Sequence, residues 1–162
     1  MNLEQFTKNS IKALERAQGI AAEYGNPSIT SLHLLFALTE EREGLIRQLL
    51  ISMNVNGDEL VRECKAEIER LPRVSGQSTG NAEAELGRVL QSAEDSAKKM
   101  GDSYVSVEHL MLGLIAKAER GAKKLLDAHG ITEQGFLSAL KHVRGNRRAD
   151  SDNPEECYDA FA

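Results

Sequence analysis

The chain repeats itself. Displaced by 76 residues the sequence falls on itself without a gap. Leu14 then meets Leu90, Ala17 meets Ala93, Ala21 meets Ala97, Gly25 meets Gly101, His33 meets His109, Leu34 meets Leu110 and Leu38 meets Leu114. Leu49 and Leu50 fall on Leu125 and Leu126. Between these anchors the apolar character persists: Ile29 with Val105, Val55 with Ile131, Leu60 with Phe136. A period this long does not describe a solenoid of small units. It describes one folding plan used twice in a chain of 162 residues.

Each copy reads as four helices, which predicts an all-α fold of two pseudo-symmetric halves and eight helices. The first helix carries Phe6, Ala13, Leu14, Ala17, Ile20, Ala21 and Tyr24 on one face and ends at Gly25, where a left-handed cap residue is favoured. Thr30 caps a second helix from Ser31 to about Glu40, and a third runs from about Glu43 to Ser52. Asn56 caps a fourth that reaches Leu71 and stops at Pro72. The second half repeats the plan: about Ala82 to Met100, then a helix capped by Ser106 to about Lys117, then about Arg120 to His129. A last helix, capped by Thr132, fades near Arg144-Gly145. No sustained alternation of apolar and polar residues signals a strand. The boundaries predicted are 1–71 and 82–145 for the halves and 72–81 for a polar linker rich in Gly, Ser and Thr. Residues 146–162 read as a polar tail in which Pro154 opens a short helix bearing Tyr158 and Phe161. The abrupt end predicts a piece of something longer.

Composition narrows the function. The net charge is -5 and the pI about 5.4, with bases and acids interleaved, which opposes nucleic-acid binding. No apolar run approaches the roughly 18 residues that span a bilayer. The opening Met1-Asn2-Leu3-Glu4 is not the start of a secretory signal. Cys64 and Cys157 lack metal or redox spacing, so reduced thiols in the cytoplasm are expected. No G-x-x-x-x-G-K-[ST] phosphate loop, H-E-x-x-H, C-x-x-C or G-x-S-x-G motif occurs, so no catalytic residue and no metal site is predicted.

A few residues hold chemical interest. His33 and His109 recur three residues after Thr30 and Ser106. They read either as a proton-sensing or ligand-binding pair or as part-buried rings that tie a helix start to the loop before it; the second reading is favoured because no partner is evident. Glu108 suits the first turn of a capped helix through the helix dipole. Asp102, after Gly101, reads as a turn residue. Arg144, Arg147 and Arg148 read as a solvated linker, since Asp150 and Asp152 follow.

Phe6-Thr7, Ala17-Gln18 and Ile29 ahead of His33-Leu34-Leu35 resemble the Clp amino-terminal repeat family, and Tyr104-Val105-Ser106-Val107-Glu108-His109-Leu110 is closer still to its hallmark segment. The tail, Val143-Arg144-Gly145 and then Asn153-Pro154-Glu155-Glu156 with Tyr158-Asp159-Ala160, is similar to the ClpB-type segment that leads into an ATPase module. The resemblance implies a mobile domain that engages exposed apolar segments of unfolded or aggregated polypeptides for an ATP-dependent disaggregase. It places substrate contacts near Thr7, Asp102 and Glu108, with Leu86 and Tyr104 expected as exposed apolar anchors beside them. It implies no cofactor in this fragment, ATP and magnesium in the full-length protein, and the Hsp70 chaperone system as a further partner. The fragment is then a monomer and the full-length protein a hexamer, without nucleic acid or membrane among the partners. In the first copy Ser31-Leu32 replaces the acid that the family favours before the histidine, so any role of that acid carries over to Glu108 alone. Docking of adaptor proteins, as in ClpA- or ClpC-type domains, is the alternative, and a helical nucleic-acid reader a remote one.

Overall fold

Eight α-helices account for the regular structure in a computed structural model that describes residues 3–74, 82–145 and 149–155. A short 3-10 turn, Leu3–Gln5, leads into α1 (Lys8–Glu23), α2 (Ser31–Thr39), α3 (Leu45–Ser52) and α4 (Gly57–Glu69). The second copy supplies α5 (Ala84–Lys99), α6 (Val107–Lys117), α7 (Arg120–Ala128) and α8 (Glu133–Arg144). The all-helical expectation holds among the described residues. Most of the linker and the tail residues Arg147, Arg148, Tyr158 and Phe161 lie outside them.

The helices end as their sequence predicts. Gly25 and Gly101 take φ of +67° and +73°, the left-handed region that glycine enters without strain. Each closes a paired cap: Gly25 N–H donates to Ala22 O and Asn26 N–H to Ala21 O, while Gly101 donates to Lys98 O and Asp102 to Ala97 O. The cap sets the side chain after each glycine at a fixed place, which positions Asn26 and Asp102 for the site described below.

The long helices start later than their apolar pattern suggests, because the preceding residues pair with the other half. Phe6 is not part of α1 but forms an isolated parallel bridge with Val105, and Ala82 forms one with Ile29. Thr7 N–H donates to Val105 O at 3.0 Å and Glu83 N–H to Ile29 O at 3.0 Å. Phe6 corresponds to Ala82, and Ile29 to Val105, so the two bridges are one contact made twice. A single bridged pair has no period-2 pattern, which is why no strand signal announces it.

Both halves bury side chains in one continuous core. α2 and α6 are apolar on nearly all faces, as centrally buried helices must be, and each packs against six other helices. Leu34, Leu35, Leu110, Met111, Leu114 and Phe136 are fully buried. α3 packs on α8 and α4 on α7, again one contact made twice across the halves. The copies are not identical: Leu90 is buried, whereas its counterpart Leu14 is half-buried against the same core.

Candidate functional site

Each copy builds the same polar device at the start of its central helix. The cap residues Thr30 and Ser106 give their backbone N–H to Nδ1 of His33 and His109, both at 2.9 Å. The histidine thus fills the role usually taken by Glu or Gln in a capping box. Because Nδ1 accepts, the ring proton sits on Nε2, which donates to Asn26 Oδ1 at 2.8 Å in the first copy and to Asp102 Oδ2 at 2.7 Å in the second. The partners that the sequence reading did not supply are therefore Asn26 and Asp102, seven residues before each histidine. The repeat itself carried that signal.

Burial pushes the His33 pKa down from 6.5 to about 4. The unfolded chain binds a proton there more tightly than the folded one, so His33 contributes its full stability above pH 6.5 and loses it as pH falls towards 4. We expect a loss of about 2 kcal/mol between neutrality and the lower end of that window. Urea unfolding of the wild type and His33→Gln at both pH values checks it: the variant should lack this step whatever its absolute stability.

In the second copy a charged network grows around the device. Asp102 follows the helix cap as a turn residue would, but it is also a buried ion. It takes a two-pronged interaction from Arg144, with Nη1 at 2.9 Å from Oδ2 and Nη2 on Oδ1, and its Oδ1 also accepts the Ala149 N–H at 3.0 Å. Burial alone would raise its pKa, but the bonds from His109, Arg144 and Ala149 hold it well below the usual carboxylate range. Arg144 likewise departs from its expected place in a solvated linker: it is 4% exposed. Its Nη1 also lies 3.6 Å from Glu108 Oε2.

The chain's own residues 149–155 cover this network. Tyr104 N–H donates to Ala149 O and Lys8 N–H to Asp152 O, both at 2.8 Å. Glu155 then enters the protein. Its Oε2 accepts from Thr7 Oγ1 at 2.7 Å and from the Val107 N–H, in the first turn of α6, at 3.2 Å. Burial and the neighbouring Glu108 carboxylate push the Glu155 pKa up, against the pull of the Thr7 bond. Both Glu108 oxygens and Glu155 Oε1 are buried without a hydrogen bond. Two carboxyl groups therefore share one enclosed space and satisfy neither fully.

The structure thus brings four of the five expected contact residues to one place. Thr7, Asp102, Tyr104 and Glu108 all bond to the 149–155 segment or lie against it. Leu86 is elsewhere in role: it is 2% exposed and part of the common core, so it cannot be an exposed anchor. Tyr104 is half-buried. Glu155 is the site residue that the sequence reading missed, quoted there only as part of the tail.

Beside the covered network an open groove of about 970 Å³ runs between α1 and the turn from α2 to α3. Ala13, Leu38, Leu45, Ile46 and Val107 give it a buried apolar floor, and charges of both signs, Lys12, Arg16 and Arg42 with Glu40, Glu41 and Glu43, form its walls. Glu155 forms part of the same wall. A smaller hollow of about 260 Å³ occupies the corresponding place in the other half, lined by Ser31, Glu85, Glu119 and Ala122 among others. Among the described residues no group of His, Cys, Asp and Glu is arranged to hold a metal. No helix among them is long and apolar enough to cross a membrane.

Comparison with known proteins places these features in context. Residues 5–129 match the family model of the Clp repeat (R) N-terminal domain. The chaperone protein ClpB of Clostridium perfringens is 39% identical over 99% of this chain, which spans only 19% of that protein. The Hsp104 N-terminal domain from Candida albicans superposes with a TM-score of 0.82 at 22% identity, covering 93% of this chain and 99% of that one. A solved complex of a ClpV N-domain with a VipB peptide has a TM-score of 0.66 at 19% identity, with 86% of each chain covered.

Proposed function

Since the chain belongs to the Clp repeat N-terminal domain family, found in ClpB- and Hsp104-type chaperones, we propose that it binds polypeptide. It takes exposed apolar segments of unfolded or aggregated proteins and catalyses nothing itself. The observation that carries this reading is the groove of about 970 Å³ next to the Thr7–Glu108 network. Its apolar floor attracts any unfolded segment without regard to direction, and its charged walls hold the segment's polar groups. That a related domain was solved with a peptide bound supports the same use of the fold here. Release matters as much as capture, so the affinity belongs near the micromolar range, about -8 kcal/mol. ATP, magnesium, the hexamer, the Hsp70 system and a cytoplasmic setting belong to the longer protein that the ClpB likeness suggests.

Amide chemical-shift mapping tests the reading. Titrated with reduced, carboxymethylated α-lactalbumin, the chain should shift at Ala13, Leu38 and Val107, with an affinity that changes less than about threefold between low and physiological salt, because few charges are neutralised. Shifts confined to other surfaces would refute the groove. A steep salt dependence with duplex DNA would favour a nucleic-acid reader instead.

A further inference from the structure

The segment 149–155 sits where the proposed function needs a polypeptide to sit. Three of its bonds use backbone groups: the Ala149 and Asp152 carbonyls accept from Tyr104 and Lys8, and the Ala149 N–H donates to Asp102. Any extended chain carries those groups, so this part of the contact fixes position without demanding sequence. Three side chains are particular to the segment: Asp150 and Asp152 make exposed contacts with Ser103 and Lys8, and the buried Glu155 carboxyl is held by Thr7 and Val107.

The buried one of these is also the weak one. Glu155 shares its enclosure with Glu108, which is 0% exposed and has no hydrogen bond to either carboxyl oxygen. Arg144, 3.6 Å from Glu108 Oε2, offsets its charge, but a buried oxygen without a hydrogen bond still costs free energy that a better occupant would recover. The segment is therefore seated by generic backbone bonds and loosened by one unfavourable side-chain neighbour, which suits an occupant that must leave.

We propose that residues 149–155 are an intramolecular occupant of the polypeptide-binding site, and that an extended segment of unfolded protein displaces them to reach Thr7, Asp102 and Glu108. The inference rests on the polypeptide-binding reading above. It makes the open groove the entry for substrate and the covered network its second, gated half. It also supplies local competition at an effective concentration that no free peptide reaches, because the segment is tethered a few residues after α8.

Two substitutions at one position separate occupancy from every alternative. Glu155→Ala removes the bonds to Thr7 and Val107 and frees the site. Glu155→Gln keeps an acceptor for both and removes the charge that stands against the neighbouring Glu108 carboxylate, which seats the segment more firmly. Binding of reduced, carboxymethylated α-lactalbumin to the intact chain should tighten about tenfold in Glu155→Ala and weaken several-fold in Glu155→Gln. On wild type, the Val107 and Tyr104 amides should shift as the unfolded protein binds. Weakening in both variants would overturn the proposal by making Glu155 a substrate contact. Unchanged affinity in both, with wild type still binding, would overturn it while leaving the polypeptide-binding reading intact. No binding by any of the three would remove that reading, and the displacement with it.

Discussion

Gly113→Ala is expected to destabilise the protein by about 3 kcal/mol, at the upper end of what overpacking a core costs. A Cβ built on Gly113 would lie 2.3 Å from the backbone oxygen of Val89 and 3.2 Å from its carbonyl carbon. The obstacle is main chain, so no rotamer change relieves it: α6 must move away from α5, and the core between them opens. The repeat provides an internal control. The corresponding residue in the first copy is Ala37, half-buried on α2 and packed against the core. Ala37→Gly should cost only about 1 kcal/mol, the loss of helix propensity. Chemical denaturation of both variants checks the contrast, and a Gly113→Ala protein within about 0.5 kcal/mol of wild type would contradict the close approach of α5 and α6.

Arg144→Ala is expected to cost about 3–5 kcal/mol, since it leaves the buried Asp102 carboxylate without its cation. Asp102 has a folded-state pKa below its unfolded one, so the stability it provides is present above the ordinary carboxylate range and lost as pH falls through it. Removing Arg144 should shrink that pH dependence as well as the stability at neutrality. Arg144→Met, which fills the space without charge, should not rescue, because the buried carboxylates of Asp102 and Glu108 and not the volume are at fault. The triple variant Arg144→Met with Asp102→Asn and Glu108→Leu should recover much of the loss: it removes both carboxylates that face Arg144 and recreates the neutral Asn26–His33 arrangement of the first copy, where Leu32 stands in place of Glu108. A triple variant as unstable as Arg144→Ala would show that these charges do not act as one network.

Much of the fold was readable from the repeat and the helical spacing of apolar residues. Gly25 and Gly101 ended their helices as glycines at that position do. His33 and His109 proved to be helix-start devices, as the blander of their two readings held. What failed has a common cause. Phe6 and Ala82 left their helices to pair with the opposite half, Arg144 turned inward to Asp102, and Glu155 reached back to Thr7. Leu86, expected at the surface, was claimed by the core.

The sequence by itself determined the elements: how many helices there are, where the glycine-capped ones stop, which face is apolar, and that one plan occurs twice. These depend on neighbours within a few positions, where spacing and cap chemistry are visible along the chain. Only the tertiary structure decided which half each element serves and which charges meet. Glu155 and Thr7 are 148 positions apart, and nothing local to either residue encodes the other. Burial then gave that encounter its consequence, because a carboxylate enclosed beside another has a cost that the same two residues in water would not pay.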